Sequence, residues 1–207
     1  SDGQSMVDLG TLGGARSRAF DINSTGHAVG WADGLDGKPK PTIWRDGVPF
    51  ELPGLGGSSG TAWAVNDLGQ VVGNAYVNAS TYHATFWNGD EVIDLGTNGG
   101  QYSVAYDINI HGHIAGSADD TLGNEWAAIW VDGEITKIEG LPGATWSAAR
   151  AINDVGQVIL WGNTVGSAGR AALWYQGVTT DLGTLGGTES WAYGLNNHGF
   201  VVGWAEL

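Results

Sequence analysis

One short phrase, apolar-Asn-x-x-Gly, occurs five times in the chain: Ile22-Asn23 with Gly26, Val65-Asn66 with Gly69, Ile108-Asn109 with Gly112, Ile152-Asn153 with Gly156, and Leu195-Asn196 with Gly199. Successive asparagines are 43, 43, 44 and 43 residues apart. Two further phrases keep the same period. Asp-Leu-Gly-Thr-Leu-Gly-Gly stands at 8–14 and 181–187, with looser versions at 51–57 and 94–100, and an apolar-Trp pair gives Trp44, Trp87, Trp130 and Trp174. A period of this size belongs to propellers or solenoids, because each unit is too small to bury its apolar face alone and must stack on a neighbour.

Each repeat reads as four short strands, expected in the first copy near 18–22, 27–32, 41–44 and 48–52. Asn23 to Gly26 carries the residues of a type I turn and joins the first two strands as a hairpin. Asp46-Gly47, echoed by Asn88-Gly89, Asp132-Gly133 and Gln176-Gly177, joins the last two, with glycine taking a positive φ. Four antiparallel strands per repeat make a propeller blade. The expected fold is therefore an all-β, five-bladed β-propeller occupying 1–207 as a single repeat domain. A composition of 36 glycines, 11 tryptophans and 14% charged residues suits short strands and tight turns.

The ends of the chain fall at different phases of the repeat. Residues 1–3 align with 45–47, and the last residues align with Trp31 to Gly34. The fifth blade is thus expected to take two strands from the C-terminus and its fourth from the N-terminus, and to lack its third. An open strand position is a template for another strand. It implies either a fragment of a longer repeat protein or a homo-oligomer in which a second copy completes the blade.

Up-and-down strands put the Asn-x-x-Gly and Asp-Gly turns at one end of each blade and the Gly-rich and variable links at the other. Large residues at positions that differ between copies on the variable end are the candidate ligand contacts: Trp31, Trp161 and Trp204 late in the second strand, and Tyr102, Trp146 and Trp191 early in the first. Packing accounts for the recurring aromatics. Trp44, Trp87, Trp130 and Trp174 are expected to fill the space between blades. Phe20, Trp63, Tyr106 and Tyr193 share an inter-blade phase with Arg150, which needs a partner there.

A formal charge of -14, with 8 Lys plus Arg against 22 acids, repels phosphate backbones and anionic lipid, so neither nucleic acid nor membrane insertion is expected. With no cysteine, disulfide and thiol chemistry are excluded. Asp8, Glu51, Asp94 and Asp181 recur at one phase, which marks them as structural rather than as a catalytic dyad. His111 and His113, two apart, are expected on opposite faces of a strand. Asp33 with Asp36, and Asp119 with Asp120, have the chemistry to hold calcium but match the spacing of no known calcium loop, and read as solvated turns. No catalytic residue, metal site or cofactor is expected.

The combination of Asp-Leu-Gly-Thr-Leu-Gly-Gly, Ser-x-Ala-x-x-Ile-Asn, Gly-x-Val-Val-Gly-x-Ala and a strand ending in apolar-Trp resembles the HAF repeat, an extracellular repeat of bacteria and archaea. The eponymous His-Ala-Phe survives best as His83-Ala84-Thr85-Phe86-Trp87. The resemblance implies a secreted or cell-surface protein and transfers no catalytic residues. Two functions follow as expectations: a lectin-like module binding a glycan on the variable end, or a structural assembly protein of the cell exterior.

Overall fold

A computed structural model describes residues 6–166 and 169–207. It is all-β, with no helix among the described residues. The first sheet comprises β1 (Gly13–Ile22), β2 (Ala28–Gly34), β3 (Pro39–Arg45) and β4 (Val48–Glu51). The second has β5 (Gly60–Val65), β6 (Val71–Tyr76), β7 (Tyr82–Asn88) and β8 (Glu91–Asp94), and the third β9 (Gly99–Ile108), β10 (Ile114–Asp120), β11 (Glu125–Val131) and β12 (Glu134–Lys137). The fourth is formed by β13 (Ser147–Ile152), β14 (Val158–Asn163), β15 (Gly169–Tyr175) and β16 (Val178–Asp181), and the last by β17 (Ser190–Leu195) and β18 (Val201–Ala205). In every sheet the strands are antiparallel and follow chain order.

The turn residues account for this local structure. Gly26 N donates to Asn23 O at 3.0 Å, and the equivalent bond closes each of the other four turns. Between β3 and β4, Asp46 and Gly47 both adopt positive φ, 51° and 74°, the geometry that matches the twist of a two-residue hairpin. In the second sheet the loop is shifted by one from the expected alignment. Asn88 pairs with Glu91, so the turn residues are Gly89 and Asp90, not Asn88 and Gly89.

Each first strand packs on the first three strands of the sheet before it: β5 on β1 to β3, β9 on β5 to β7, β13 on β9 to β11, and β17 on β13 to β15. The space between sheets is filled as the repeat implies. Trp44, Trp87 and Trp130 are at most 1% exposed, while Trp174 is only partly buried. The polar edges of Trp87 and Trp130 reach back across the interface. Trp87 Nε1 donates to Pro53 O at 2.7 Å and Trp130 Nε1 to Leu95 O at 2.9 Å. The turns of all five sheets converge, with Asn23, Asn66, Asn109 and Asn197 lining one cavity of about 400 Å³.

The fifth sheet departs from expectation. Among the described residues it has two strands instead of three, and the five sheets do not close into a hydrogen-bonded ring. Residues 6–11 form no strand, and Leu12 makes a parallel bridge to Gly34. A fourth strand needs the third as its hydrogen-bonding partner. With none beside β18, Leu9 and Leu12 rest on Ala28, Ala32 and Trp44 of the first sheet. Trp44 Nε1 is buried there without a partner.

Candidate functional site

Close to the Asn-x-x-Gly turn, each first strand carries a β-bulge. The register skips Phe20, Trp63, Tyr106, Arg150 and Tyr193 in turn. The second strand approaches closely here, and a Cβ on Gly30 or Gly73 would lie within 2.0 Å of the Arg18 or Thr61 carbonyl oxygen. A bulge re-aims the extra residue. These side chains follow one another from sheet to sheet: ring centroids are 4.4 Å apart for Phe20 and Trp63 and 6.1 Å for Trp63 and Tyr106. Arg150 supplies its own answer to the partner it needs. Its Cζ lies 3.8 Å from the Tyr106 ring and 4.3 Å from the Trp161 ring, a cation–π sandwich.

Two groups of the candidate aromatics emerge at the end bearing the variable links. One lies between the fourth and fifth sheets. Trp191 stacks on Trp146 at 6.2 Å with 25° between planes, and meets Trp161 edge-on at 5.2 Å. Trp161 Nε1 donates to Ala192 O. Both the indole N–H and the ring of Trp161 are therefore engaged in joining the sheets. Trp204 is the register partner of Trp191, is 48% exposed, and lines with it, Leu182 and Leu185 a cavity of about 360 Å³.

The other group lies between the second and third sheets. Tyr102 sits 4.8 Å from Tyr82, itself 5.5 Å from Tyr76. Trp63, Tyr76, Tyr82 and Tyr106 line a cavity of about 390 Å³ together with Asn74, whose Oδ1 accepts from Trp63 Nε1 at 3.0 Å. Burial, then the neighbouring Tyr106, Asp119 and Glu125, pushes the Tyr82 hydroxyl up to about 12. Trp31 stands apart on the first sheet beneath Arg16, which pairs with Asp33 at 2.9 Å. The structure thus brings Trp146, Trp161, Trp191 and Trp204 together and leaves Trp31 and Tyr102 elsewhere. Sequence reasoning passed over Tyr76 and Tyr82, although both flank the variable link between the second and third strands of their repeat.

The recurring acids have local roles. Asp8, Asp94 and Asp181 each accept from the backbone N–H two residues on, at 2.9, 2.8 and 2.7 Å. Asp36 accepts from Lys38 N and pairs with Lys40. Hydrogen bonds from Asn124, first, and Trp126 hold Asp120 well below the usual carboxylate range. His111 and His113 are not on opposite faces of a strand, because β10 begins only at Ile114, and the turn sets their rings 6.0 Å apart. Among the described residues no group of three or more His, Cys, Asp or Glu is placed to hold a metal ion.

No family model and no curated protein matches the sequence. Among solved structures the chain is similar to TolB from Acinetobacter baumannii, with a TM-score of 0.60 and 13% identity over 86% of this chain and 49% of TolB. The chain therefore spans about half the length of that protein. At this identity the likeness shows the fold alone, and the architecture is β-propeller-like.

Proposed function

We propose that the chain is a non-catalytic, extracellular carbohydrate-binding module built as a five-bladed propeller, with its ligand surface at the end of the variable links. The observation that carries this reading is the pair of aromatic-lined cavities there, one edged by Trp191 and Trp204, the other by Tyr76 and Tyr82. Flat aromatic faces with a few convergent polar groups suit a small organic ligand, and sugar rings present C–H faces that stack on them. The HAF-like repeat supports the extracellular placement. A glycan array followed by calorimetry tests the reading, with Trp191→Ala and Tyr82→Ala expected to weaken any hit by about tenfold or more. Failure of every glycan class to bind removes it.

A second reading, assembly through strand donation between chains, is favoured by the open ends of the array. Val202 and Tyr193 on the fifth sheet are 66% and 63% exposed, and Ile22 on the first is 62% exposed. The unpartnered Trp44 Nε1 lies beside the first sheet's open face. Sedimentation velocity over a hundredfold concentration range decides it: assembly predicts a mass that rises with concentration and falls in Val202→Glu, and a constant monomer mass rejects it.

A further inference from the structure

Three of the four interfaces between successive sheets receive a tryptophan from the third strand of the later sheet, and the fourth does not. Trp87 enters between the first and second sheets, packed with Leu52, Ala62, Val71 and Ala75. Trp130 does the same between the second and third sheets, and Trp174 between the third and fourth. The last interface gathers around Ile159, Ala171 and Ala192 without such a tryptophan, because among the described residues β18 has no third strand beside it. The cavity of about 360 Å³ lies there. Leu182, Ala192, Val201 and Ala205 line it, and they stand at the same places in the repeat as the four residues packed with Trp87. Gly183 lines it as well. Leu182 and Gly183 are the equivalents of Leu95 and Pro53, whose carbonyl oxygens accept the indole N–H of Trp130 and Trp87.

The edge of β18 supplies the other half of a site. In the four complete sheets the third strand pairs with the second so that its tryptophan lies opposite Ala28, Val71, Ile114 or Val158. The corresponding residue of β18 is Val201, which faces the cavity. An open edge offers main-chain hydrogen bonds to an incoming strand, and a pocket beside it selects the side chains that strand carries. A second copy has no strand of this kind to lend, since each of its third strands is hydrogen-bonded on both sides within its own sheet. We propose that β18 captures a separate extended segment with the pattern of Ala127 to Trp130 and Ala171 to Trp174, small-small-apolar-Trp. The segment runs antiparallel to β18 and seats its indole opposite Val201, in the cavity that continues the interfaces between sheets. This goes beyond assembly of copies at the open edge, and it leaves the cavity edged by Tyr76 and Tyr82 to a glycan.

Calorimetry on the whole chain tests it with a capped peptide of the β15 sequence, Gly169–Tyr175, and with the same peptide carrying Trp174→Ala. The first is expected to bind about thirtyfold tighter, the loss that follows truncation of a buried aromatic anchor. Hydrogen exchange at residues 201–205 is expected to slow on binding. In the protein, Ala205→Leu narrows the cavity and is expected to remove the preference for tryptophan while leaving the melting temperature unchanged. Binding of neither peptide, equal binding of both, protection gained away from β18, or a preference that survives Ala205→Leu each overturns the inference. Peptide binding by a chain that stays monomeric upholds it while rejecting assembly of copies. A mass that rises with concentration, with no peptide bound, does the reverse. The comparison of the two peptides on the unaltered protein stands even where the variant fails to fold.

Discussion

The side-chain amide of Asn23 donates to the main-chain carbonyl of Asn66, 3.1 Å away, and the same link runs from Asn66 to Asn109, Asn109 to Asn153, and Asn153 to Asn196, at 3.0, 3.1 and 3.0 Å. In four of the turns the Oδ1 meanwhile accepts two backbone N–H groups of its own turn, as Asn109 does from His111 and His113, and Asn153 Oδ1 accepts from Gln157 N. One residue type both closes the hairpin and joins it to the next sheet. That dual use explains why asparagine, and not the equally turn-compatible aspartate, occupies the first four positions: only the amide has a donor left for the neighbour.

Asn109→Ala should therefore cost about 2 to 4 kcal/mol, because it deletes a buried donor and leaves turn amides unpaired. Asn196→Ala should cost about 1 kcal/mol, since that residue is exposed and its turn amides can turn to water. Urea unfolding of the two variants checks the difference, and equal costs would show that the inter-sheet link adds nothing.

Trp87 and Trp130 combine a filled interface with a hydrogen bond to the preceding sheet's chain. Either residue changed to Ala should lose about 3 to 5 kcal/mol. Thermal unfolding reads this as a fall in Tm, and an unmoved Tm would mean that the interface repacks around the gap.

Repetition makes the strands, turns and interface tryptophans readable in the sequence, because each is required four or five times by the same geometry. What repetition cannot reveal is the consequence of a bulge. Phe20, Trp63, Tyr106, Arg150 and Tyr193 were legible as a phase, yet alternation assigns them the direction of Ile22 and its equivalents, and the extra residue breaks that alternation. The N-terminal segment was misread for a different reason. Its sequence matches a fourth strand, but strand formation depends on a partner that local sequence does not supply. Of the candidate site, the large aromatics could be named, whereas the pairing of Tyr76 with Tyr82 across a variable link follows no phase. Asp21 and Asp107, which accept from Val65 N and Ile152 N of the next sheet, are not legible as a pattern because they occur in alternate copies, with Ala64 and Ala151 at the same phase in the copies between.

Arg150 offers a test of the aromatic stack. Lys keeps the charge but loses the flat guanidinium that lies between two rings. Arg150→Lys should lower stability by about 1 kcal/mol and Arg150→Ala by about 2 kcal/mol. The Trp161 fluorescence environment should change with either. A variant as stable as the parent would make the sandwich incidental.

Asp107 makes stability depend on pH in a direction opposite to that of most carboxylates. Its carboxylate accepts from Ile108 N and from Ile152 N of the next sheet, both at 2.8 Å. Those bonds favour the charged form, but burial dominates and raises the group from 3.8 to about 6, with Asp21 and Asp154 adding like charge. A group whose folded pKa lies above its unfolded value holds its proton more tightly in the folded state. Its contribution is therefore fully present below about pH 4 and is lost as pH rises towards about 6. Across that window the contribution falls by on the order of 3 kcal/mol. Asp107→Asn has no proton to lose there, while the other carboxylates titrate alike in both proteins and cancel in the difference. Urea unfolding of parent and variant at pH 4, 5, 6 and 7 should show the parent's relative stability declining from pH 4 to pH 6 and levelling above it. A difference that is flat, or that grows with pH, would mean that the two backbone N–H groups outweigh burial and hold Asp107 ionised.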